Sequence, residues 1–284
     1  MKVHQLIRTL LICFLAAFPK SGVSWWDGGV SFDESPQSFR LLGQLPALCQ
    51  ISFKYTPIDG SITQDAHVQT LKVIPDPASD FLEFDLSDKD RGEHNFGNRT
   101  LWKDQAGFLS LRADPPLPAF IQFAETSRPC RGSCWIPIPP TRQTFLLAGL
   151  YFSFTEDDHH LHRVSLIPQA AEGRVLVRLT DNSNDRPFTA RIAYIIRSPG
   201  YHFGEFQSFS TTNELDAIDR HRINGDAFIQ GFDVWFTNGD HHLQDLTIDV
   251  CSMDGRIKGT FRDKDGEDDP FRMNIYYAIY QPID

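Results

Sequence analysis

The stretch FSFTEDDHHLHRVSLIP at residues 152–168 decides the fold, because the chain repeats it. Residues 234–250 read VWFTNGDHHLQDLTIDV, and residues 65–75 carry a fainter copy, DAHVQTLKVIP. The aligned anchors of the three copies are Asp65/Asp158/Asp240, His67/His160/His242, Asp88/Asp181/Asp263, Phe96/Phe188/Phe271 and Trp102/Tyr194/Tyr277. The copies are spaced by roughly 80 to 95 residues, which predicts an array of one small structural module.

Each copy alternates between apolar and polar residues. In the third copy, Leu246, Ile248 and Val250 alternate with Thr247 and Asp249. This period of two is typical of a β-strand with one buried and one wet face, and the chain shows no sustained helical stripe. Each copy therefore predicts four strands, A to D, arranged as a meander in which each strand lies beside the next. Strand A contains the motifs FKYT (53–56), FSFT (152–155) and VWFT (234–237).

The predicted fold is all-β, with three tandem β-sandwich-like modules behind a cleaved signal peptide. Looser segments upstream of each meander are expected to add two or three strands, enough to close a sandwich. The predicted division is 1–24 for the signal peptide, then modules at 25–105, 106–198 and 199–284. The second module contains an insertion that is rich in proline and includes a pair of cysteines; such insertions often carry binding function, and the favoured alternative is an insertion without a function of its own.

Residues 1–24 have the pattern of a secretory signal. Lys2 and Arg8 precede the apolar run at 9–18, and small residues follow at 22–24. The run is too short to span a bilayer, and no other apolar run is long enough. An uncleaved N-terminal anchor is the alternative. The chain has a net charge of −10, and loss of this basic segment makes it more acidic, which argues against a nucleic acid or an anionic membrane as partner.

Four of the five cysteines follow the predicted signal. An even number in an exported protein indicates two disulfides, for which three pairings are possible. We expect a local bridge between Cys130 and Cys134, which flank a turn-forming Arg-Gly-Ser spacer, and a long-range bridge between Cys49 and Cys251. Asn98 begins the single Asn-x-Thr sequon, a glycosylation candidate if the source is eukaryotic, although it falls in a predicted strand.

Acidic loops after strand C are candidate calcium sites, because oxygen ligands alternate in them as they do in calcium loops. The candidate ligands are Asp263, Asp265, Glu267 and Asp269 in the third copy and Asp181 and Asp185 in the second. A solvated acidic hairpin is the alternative. The Asp-x-His triplets could hold a metal in each copy, or the Asp could cap the turn after strand A while the His bonds a neighbouring loop.

No catalytic motif stands out in the sequence, so the chain is not expected to be an enzyme. His160 and His162 could share a strand face and bind a catalytic metal, but the third histidine and the carboxylate of such sites are missing at the required spacing. Paired carboxylates for sugar hydrolysis stay open, because spatial pairing cannot be read from a sequence.

Aromatic residues beside glycine, proline and polar residues are candidate ligand-binding positions, namely Trp25, Trp26, Trp135 and Tyr201. Exposed aromatic rings next to carboxylates and amides suit stacking on sugar rings, whereas packing between modules is the alternative. These features favour a secreted, non-catalytic binding protein for glycans or a cell or matrix surface, with calcium as its cofactor. The alternatives are a structural, self-associating matrix protein and, less favoured, a metal-dependent or glycoside-type hydrolase.

Overall fold

The computed structural model describes residues 23–32, 37–40, 46–57, 68–76, 81–88, 100–113, 121–155, 161–181, 186–197, 200–209, 216–218, 223–237, 243–252, 254–263 and 270–280. These residues are nearly all in β-strands, which confirms the predicted all-β class; the strands are joined by loops and turns and, within the described residues, by one 3-10 turn at Ala170–Glu172. The strands are β1 (Val23–Phe32), β2 (Gln37–Arg40), β3 (Pro46–Pro57), β4 (Val68–Pro75), β5 (Phe81–Asp88), β6 (Thr100–Ala113), β7 (Gln122–Glu125), β8 (Cys130–Pro137), β9 (Thr144–Phe154), β10 (Leu161–Gln169), β11 (Arg174–Asp181), β12 (Pro187–Arg197), β13 (Tyr201–Phe209), β14 (Asp216–Ile218), β15 (Ala227–Phe236), β16 (Leu243–Asp249), β17 (Lys258–Asp263) and β18 (Phe271–Tyr280).

The strands form two antiparallel sheets. Sheet 1 has the order β1-β6-β3-β16-β17-β14. The larger sheet has the order β13-β18-β15-β10-β11-β8-β12-β9-β4-β5-β2, with β7 also paired to β12. Strands β8 and β12 are joined by only two residue pairs, so this sheet divides into half-sheet 2, from β12 and β7 to β2, and half-sheet 3, from β13 to β8. Sheet 1 and the two half-sheets therefore have six strands each.

Strands at the same place in the three predicted copies pair in the same way. Strand A (β3, β9, β15) pairs with strand D of its own copy (β6, β12, β18). Strand B (β4, β10, β16) pairs with strand C (β5, β11, β17). The strands upstream of each copy follow the same rule, since β1, β7 and β13 pair with strand D, and β2, β8 and β14 pair with strand C.

Strand A does not pair with strand B of its own copy, so the predicted meander order is wrong. Its second neighbour is strand B of another copy: β9 pairs with β4, β15 with β10, and β3 with β16. We call these three pairings the tyrosine seam, the charged seam and the closing seam. They link copy one to two, two to three and three to one, which makes a closed ring. Alternation predicts which side chains are buried, and it carries no information about which strand lies alongside.

The irregularities of the strands recur as well as their pairing. The A–D register shifts at Leu48/Gln50, Ala193/Tyr194 and Ile229/Gly231, and the B–C register shifts at Val68/Thr70, Leu161/Arg163 and Leu243/Asp245. Each shift marks a β-bulge, which bends a strand and increases its twist.

The pairing also corrects the alignment of the first copy. Trp102 lies opposite Tyr55, in the place where Phe188 lies opposite Phe154 in the second copy. The sequence alignment had assigned this place to Phe96, which lies outside the described residues, so the anchor set for strand D of copy one is wrong. The module boundary expected near residue 105 falls inside β6, and the division into modules stays a prediction.

The core is one continuous cluster fed by all three copies. Strands β3, β9 and β15 contact one another. The apolar side chains of these A strands point into the core, as do those of the B strands. The buried residues of the seams include the facing pairs Phe53 and Leu246, Leu71 and Phe152, and Val164 and Val234. Burying the apolar surface of three copies in one core makes each copy dependent on the other two.

Candidate ligand-binding face

The charged seam holds a buried ion pair on the side of half-sheet 3 that faces away from the core. Asp233 on β15 is 5% exposed and accepts two hydrogen bonds from Arg163 on β10, 2.8 Å from Nε to Oδ1 and 2.5 Å from Nη2 to Oδ2. The hydroxyl of the fully buried Ser165 donates to the same carboxylate at 2.5 Å. A bidentate pair fixes the plane of the guanidinium, so Arg163 is held in one orientation.

A ladder of alternating aromatic rings and guanidinium groups crosses the same face. The guanidinium carbon of Arg163 lies 4.6 Å from the centre of the Trp235 ring. Arg272 on β18 is the cross-strand neighbour of Trp235, and its guanidinium lies 5.4 Å from the ring of Phe209 on β13. Cation–π contacts of this kind order long side chains that would otherwise be free in water.

Strands β11 and β8 extend this face. Arg178 lies opposite Ser165, and its Nη1 is 4.0 Å from Oδ2 of Asp233, a distance too long for a hydrogen bond. Trp135 on β8 is 40% exposed, and the guanidinium of Arg174 lies 4.0 Å from its ring centre. Because side chains alternate along a strand, all of these side chains lie on the face of the sheet that is turned away from the core. We call this surface the arginine–aromatic face, formed by Phe209, Arg272, Trp235, Arg163, Arg178, Arg174 and Trp135.

Arg174 is held from two further sides. Its Nε donates to Oε1 of Gln169 at 2.9 Å, and its Nη2 forms an ion pair with Glu172 in the 3-10 turn. The guanidinium is therefore placed over the indole before any ligand arrives. Since Glu172 is exposed, this ion pair adds little to stability and its effect is on geometry.

A cleft of about 280 Å³ opens at one end of the arginine–aromatic face. Phe203 and Tyr276 border it, together with the loop at residues 141–143. Gln230 also lines the cleft, and its Nε2 donates to the carbonyl of Phe145 at 2.9 Å. Gln230 is the bulged residue of β15, and bulges are frequent next to binding sites because they redirect a side chain.

Burial keeps two tyrosines of half-sheet 3 protonated over a wide pH range. Desolvation raises the pKa of Tyr276, and the nearby charge of Glu205 raises it further. Desolvation, partly opposed by Arg197, raises the pKa of Tyr201 to about 12. The Tyr201 ring packs edge-on against Tyr280 and Phe228, with centroids 5.4 and 6.1 Å apart. Tyr201 is thus a half-buried packing residue beside the face.

The equivalent positions of the other seams carry different chemistry. Register equates Ser165 and Asp233 with Thr247 and Ser52 of the closing seam and with Lys72 and Tyr151 of the tyrosine seam. In the closing seam, Ser52 and Thr247 share a hydrogen bond of 2.8 Å between their hydroxyls, and the Thr247 hydroxyl donates to Asp245. In the tyrosine seam, Lys72 lies 5.7 Å from the Tyr151 ring and forms an ion pair of 2.7 Å with Glu83. Arginine and tryptophan face each other across the charged seam.

The described residues include few of the predicted calcium ligands. Asp263 ends β17 and is 7% exposed, and Asp181 ends β11. Asp265, Glu267, Asp269 and Asp185 lie outside the described residues, as do the three Asp-x-His triplets. In the part of the chain that the structure describes, no group of three or more His, Cys, Asp or Glu side chains is placed to hold a metal. The calcium site therefore stays a prediction.

The other predicted site residues are placed as follows. Trp25 and Trp26 lie in β1, whose pairing with β6 is described and whose side chains are not. Asn98 lies outside the described residues, as does most of the predicted signal peptide. His162 is at the bulge of β10, where strand alternation is interrupted, and His160 precedes the described strand.

The cysteines lie in the two pairs that the sequence favoured. Cys49 and Cys251 are bonded with Cα atoms 5.5 Å apart, and Cys130 and Cys134 with Cα atoms 6.0 Å apart. The first bridge lies at the end of the closing seam, where the backbone N–H of Val250 also donates to the carbonyl of Cys49 at 2.9 Å.

Of the arginine–aromatic face, Trp135 alone is a candidate from the sequence, and its role in ligand binding stays a prediction. The same strands whose alternating apolar residues predict the core also have alternating polar or aromatic residues, which must share the opposite face. Such pairs, an even number of positions apart, are Arg163 and Ser165, Asp233 and Trp235, and Arg174 and Arg178. These pairs converge only because β10 and β15, from different copies, are neighbours.

Neither a protein-family model nor a curated protein sequence matches the chain. Within the described residues, no helix has the length and apolar character needed to cross a membrane.

Proposed function

We propose that the chain is an exported, non-catalytic binding protein that recognises glycans through the arginine–aromatic face. The observation that supports this most directly is Trp135, a ring that keeps 40% of its surface exposed while Arg174 holds it in place. An ordered, partly exposed indole beside hydrogen-bond donors combines apolar stacking with polar recognition at a low entropic cost.

The chemistry of the face matches that of a sugar. The C–H side of a pyranose ring stacks on an indole, and its hydroxyl or acidic groups accept hydrogen bonds. Arg178, about a third exposed and 4.0 Å from the Asp233 carboxylate, can offer guanidinium N–H groups to such acceptors. Arginines outnumber the carboxylates among the described residues of this face, which favours a glycan that carries carboxylate or sulfate groups.

Export, repetition and calcium belong to the same proposal. A signal peptide at 1–24 and two disulfides are consistent with an oxidising, extracellular environment. Three tandem modules would give the chain three versions of one surface, of which the charged seam carries the aromatic and arginine residues. Calcium would bind the acidic side chains between Asp263 and Asp269.

A glycan array, read with calcium and with a chelator, tests the proposal. Neutral, carboxylated and sulfated glycans are presented to the full chain, and hits are quantified by titration. Trp135→Ala is expected to weaken binding by about tenfold or more, the effect of removing a central aromatic contact. Phe81→Ala is the matched control, because Phe81 is 39% exposed and lies on half-sheet 2.

Binding to no glycan in either condition would contradict the proposal, as would hits that Trp135→Ala leaves unchanged. Calcium is tested separately by thermal unfolding with calcium and with chelator. A stabilisation that Asp265→Ala abolishes is expected if the loop binds the ion in the folded state.

A further inference from the structure

Strand β13 is an outer strand of half-sheet 3 with an unusual surface. Among the large hydrophobic side chains that the structure describes, the two most exposed are Phe203 at 65% and Phe209 at 50%, and both lie on this strand. In the described residues β13 pairs with β18 alone, along its whole length from Tyr201 to Phe209. No described strand is hydrogen-bonded to its other edge, so the backbone N–H and C=O groups there could pair with another strand.

The sequence of β13 lacks the usual protection of an edge. Exposed edges are normally kept apart by lysine, proline, bulges or very short strands, because an open ladder of backbone groups pairs readily with another chain. The strand YHFGEFQSF contains no proline and no lysine, and Glu205 is its only carboxylate. Its register with β18 continues without a shift. A regular edge strand of nine residues with two exposed phenylalanines favours pairing with another strand.

We propose that β13 pairs with β13 of a second copy of this chain, antiparallel and centred on Phe206. In this register Phe203 lies opposite Phe209 of the partner subunit, and Glu205 lies opposite Gln207 of the partner subunit. Each contact occurs twice, because a two-fold axis relates the strands. Within one chain, Gln207 already donates to the Glu205 carboxylate at 2.9 Å, so the amide is suited to a second carboxylate across the interface.

Neighbouring registers fit less well. A centre on Glu205 would bring two carboxylates face to face, and like charges directly opposite each other destabilise a strand pair. A centre on Gly204 would place Phe203 opposite a carboxylate and leave Phe209 without an aromatic partner. Only the Phe206 centre pairs aromatic with aromatic and carboxylate with amide. Because the strand complements itself in this way, a second copy is the occupant rather than an unrelated peptide.

Pairing about this axis has a geometric consequence. Residues of the same parity face each other, so the outer faces of both copies lie on the same side of one continuous sheet. The two arginine–aromatic faces would then be adjacent, each beginning at Phe209. Two adjacent sites on one rigid surface bind a repeating ligand more tightly than one site does.

A charge substitution and its compensation test the register. The full chain is studied by sedimentation and by light scattering across a dilution series. Gln207→Glu places two like-charge pairs in each dimer and is expected to raise the dissociation constant by about tenfold. Adding Glu205→Lys to Gln207→Glu restores opposite charges across the interface, so the double variant is expected to recover the dimer. A register centred on Glu205 would instead place two lysines opposite each other and give no recovery.

Two further variants test whether an exposed phenylalanine of β13, rather than any exposed aromatic residue, is needed for the dimer. Phe203→Ser is expected to weaken the dimer, while Phe81→Ser, an exposed aromatic on a different half-sheet, leaves it unchanged. Unaltered circular dichroism shows that each variant folds. A chain that stays monomeric at every accessible concentration would overturn the proposal, as would a dimer that Gln207→Glu leaves intact or that the double variant fails to restore. Glycan binding of the Gln207→Glu variant, measured by titration, tests the proposed function separately, because Gln207 is not part of the arginine–aromatic face.

Discussion

The closing seam and the charged seam have the same backbone and opposite chemistry. Both pair a strand A with a strand B in one register, and in both the apolar phase is fully buried. On the other side, the closing seam has the hydroxyls of Ser52 and Thr247, 195 residues apart, and the charged seam has Arg163 and Asp233, 70 residues apart. The closing seam joins the first copy to the last and is also joined covalently by a disulfide. The seam that closes the longest loop is supported by a bridge and carries neutral hydroxyls, whereas the charged seam, between successive copies, carries an ion pair.

The largest expected effect is loss of the bridge beside the closing seam. The cysteines are 202 residues apart, so Cys49→Ala with Cys251→Ala should lower the free energy of unfolding by about 4 kcal/mol, because a long loop is released in the unfolded chain. The Cys130–Cys134 bridge spans a sequence separation of 4, and its removal should cost roughly half as much. Denaturant unfolding of both double variants measures the difference, and equal losses would contradict this view of the closing seam.

A smaller effect concerns the close approach of strands at the charged seam. A Cβ added at Gly231 would lie 2.2 Å from the carbonyl oxygen of Leu166 and 2.6 Å from Pro168. Because a backbone atom must move, Gly231→Ala is expected to cost about 3 kcal/mol. Gln50 occupies the equivalent position of the closing seam, and Gln50→Ala should cost less than about 1 kcal/mol. Thermal unfolding measures both losses, and a larger loss of stability in Gln50→Ala than in Gly231→Ala would contradict this difference between the two seams.

The next largest loss of stability is expected from removing the ion pair between Arg163 and Asp233. Asp233→Ala leaves Arg163 without its carboxylate, and we expect a loss of about 2 kcal/mol, below the cost at a fully buried pair because the arginine can turn to solvent. Ser52→Ala is the matched change at the closing seam and should cost about 1 kcal/mol or less. Combining Arg163→Ala with Asp233→Ala should cost less than the two single changes together. Additive losses in this double-mutant cycle would show that the pair does not act as a unit.

The smallest expected effect appears at alkaline pH, at the edge of the sheet that contains the charged seam. The pKa of Tyr201 is raised from 10.0 to about 12, so the unfolded chain ionises first. The stabilising contribution is complete below pH 10 and is lost as the pH rises through 12. At about pH 11 the loss is of the order of 1 kcal/mol. Thermal unfolding against pH should show a shallower decline in Tyr201→Phe than in the wild type, and parallel curves would refute the assignment.

Several strands were readable from the sequence because their apolar residues alternate. Leu246 and Ile248 were predicted to share a buried face, and they do. Trp102 was misaligned because aromatic residues recur along strand D, and any of them can serve as an anchor when the partner strand is unknown. The meander failed for a related reason, since backbone hydrogen bonds between antiparallel strands are the same whatever the sequence of the neighbour.

The candidate site was less readable than the fold. Trp135 was identified because it stands among glycine, proline and polar residues, a local feature. Arg163 and Asp233 are ordinary charged residues of two different copies, and their pairing depends on the seam between β10 and β15. Tyr201 was assigned to ligand binding from its surroundings in the sequence, while its ring packs against Tyr280, a residue near the far end of the chain.

The sequence by itself determined that the chain is built of β-strands, which of their faces are buried, and which cysteines can bridge. These are consequences of local periodicity and spacing, and every residue involved can be read in place. The tertiary structure alone decided that strand B, while paired with its own strand C, also pairs with strand A of another predicted copy, that these pairings close into a ring around one core, and that arginine and tryptophan meet on a single face. The physical reason is that one small repeat cannot cover its own apolar surface, and its free strands pair wherever burial of the shared core is greatest.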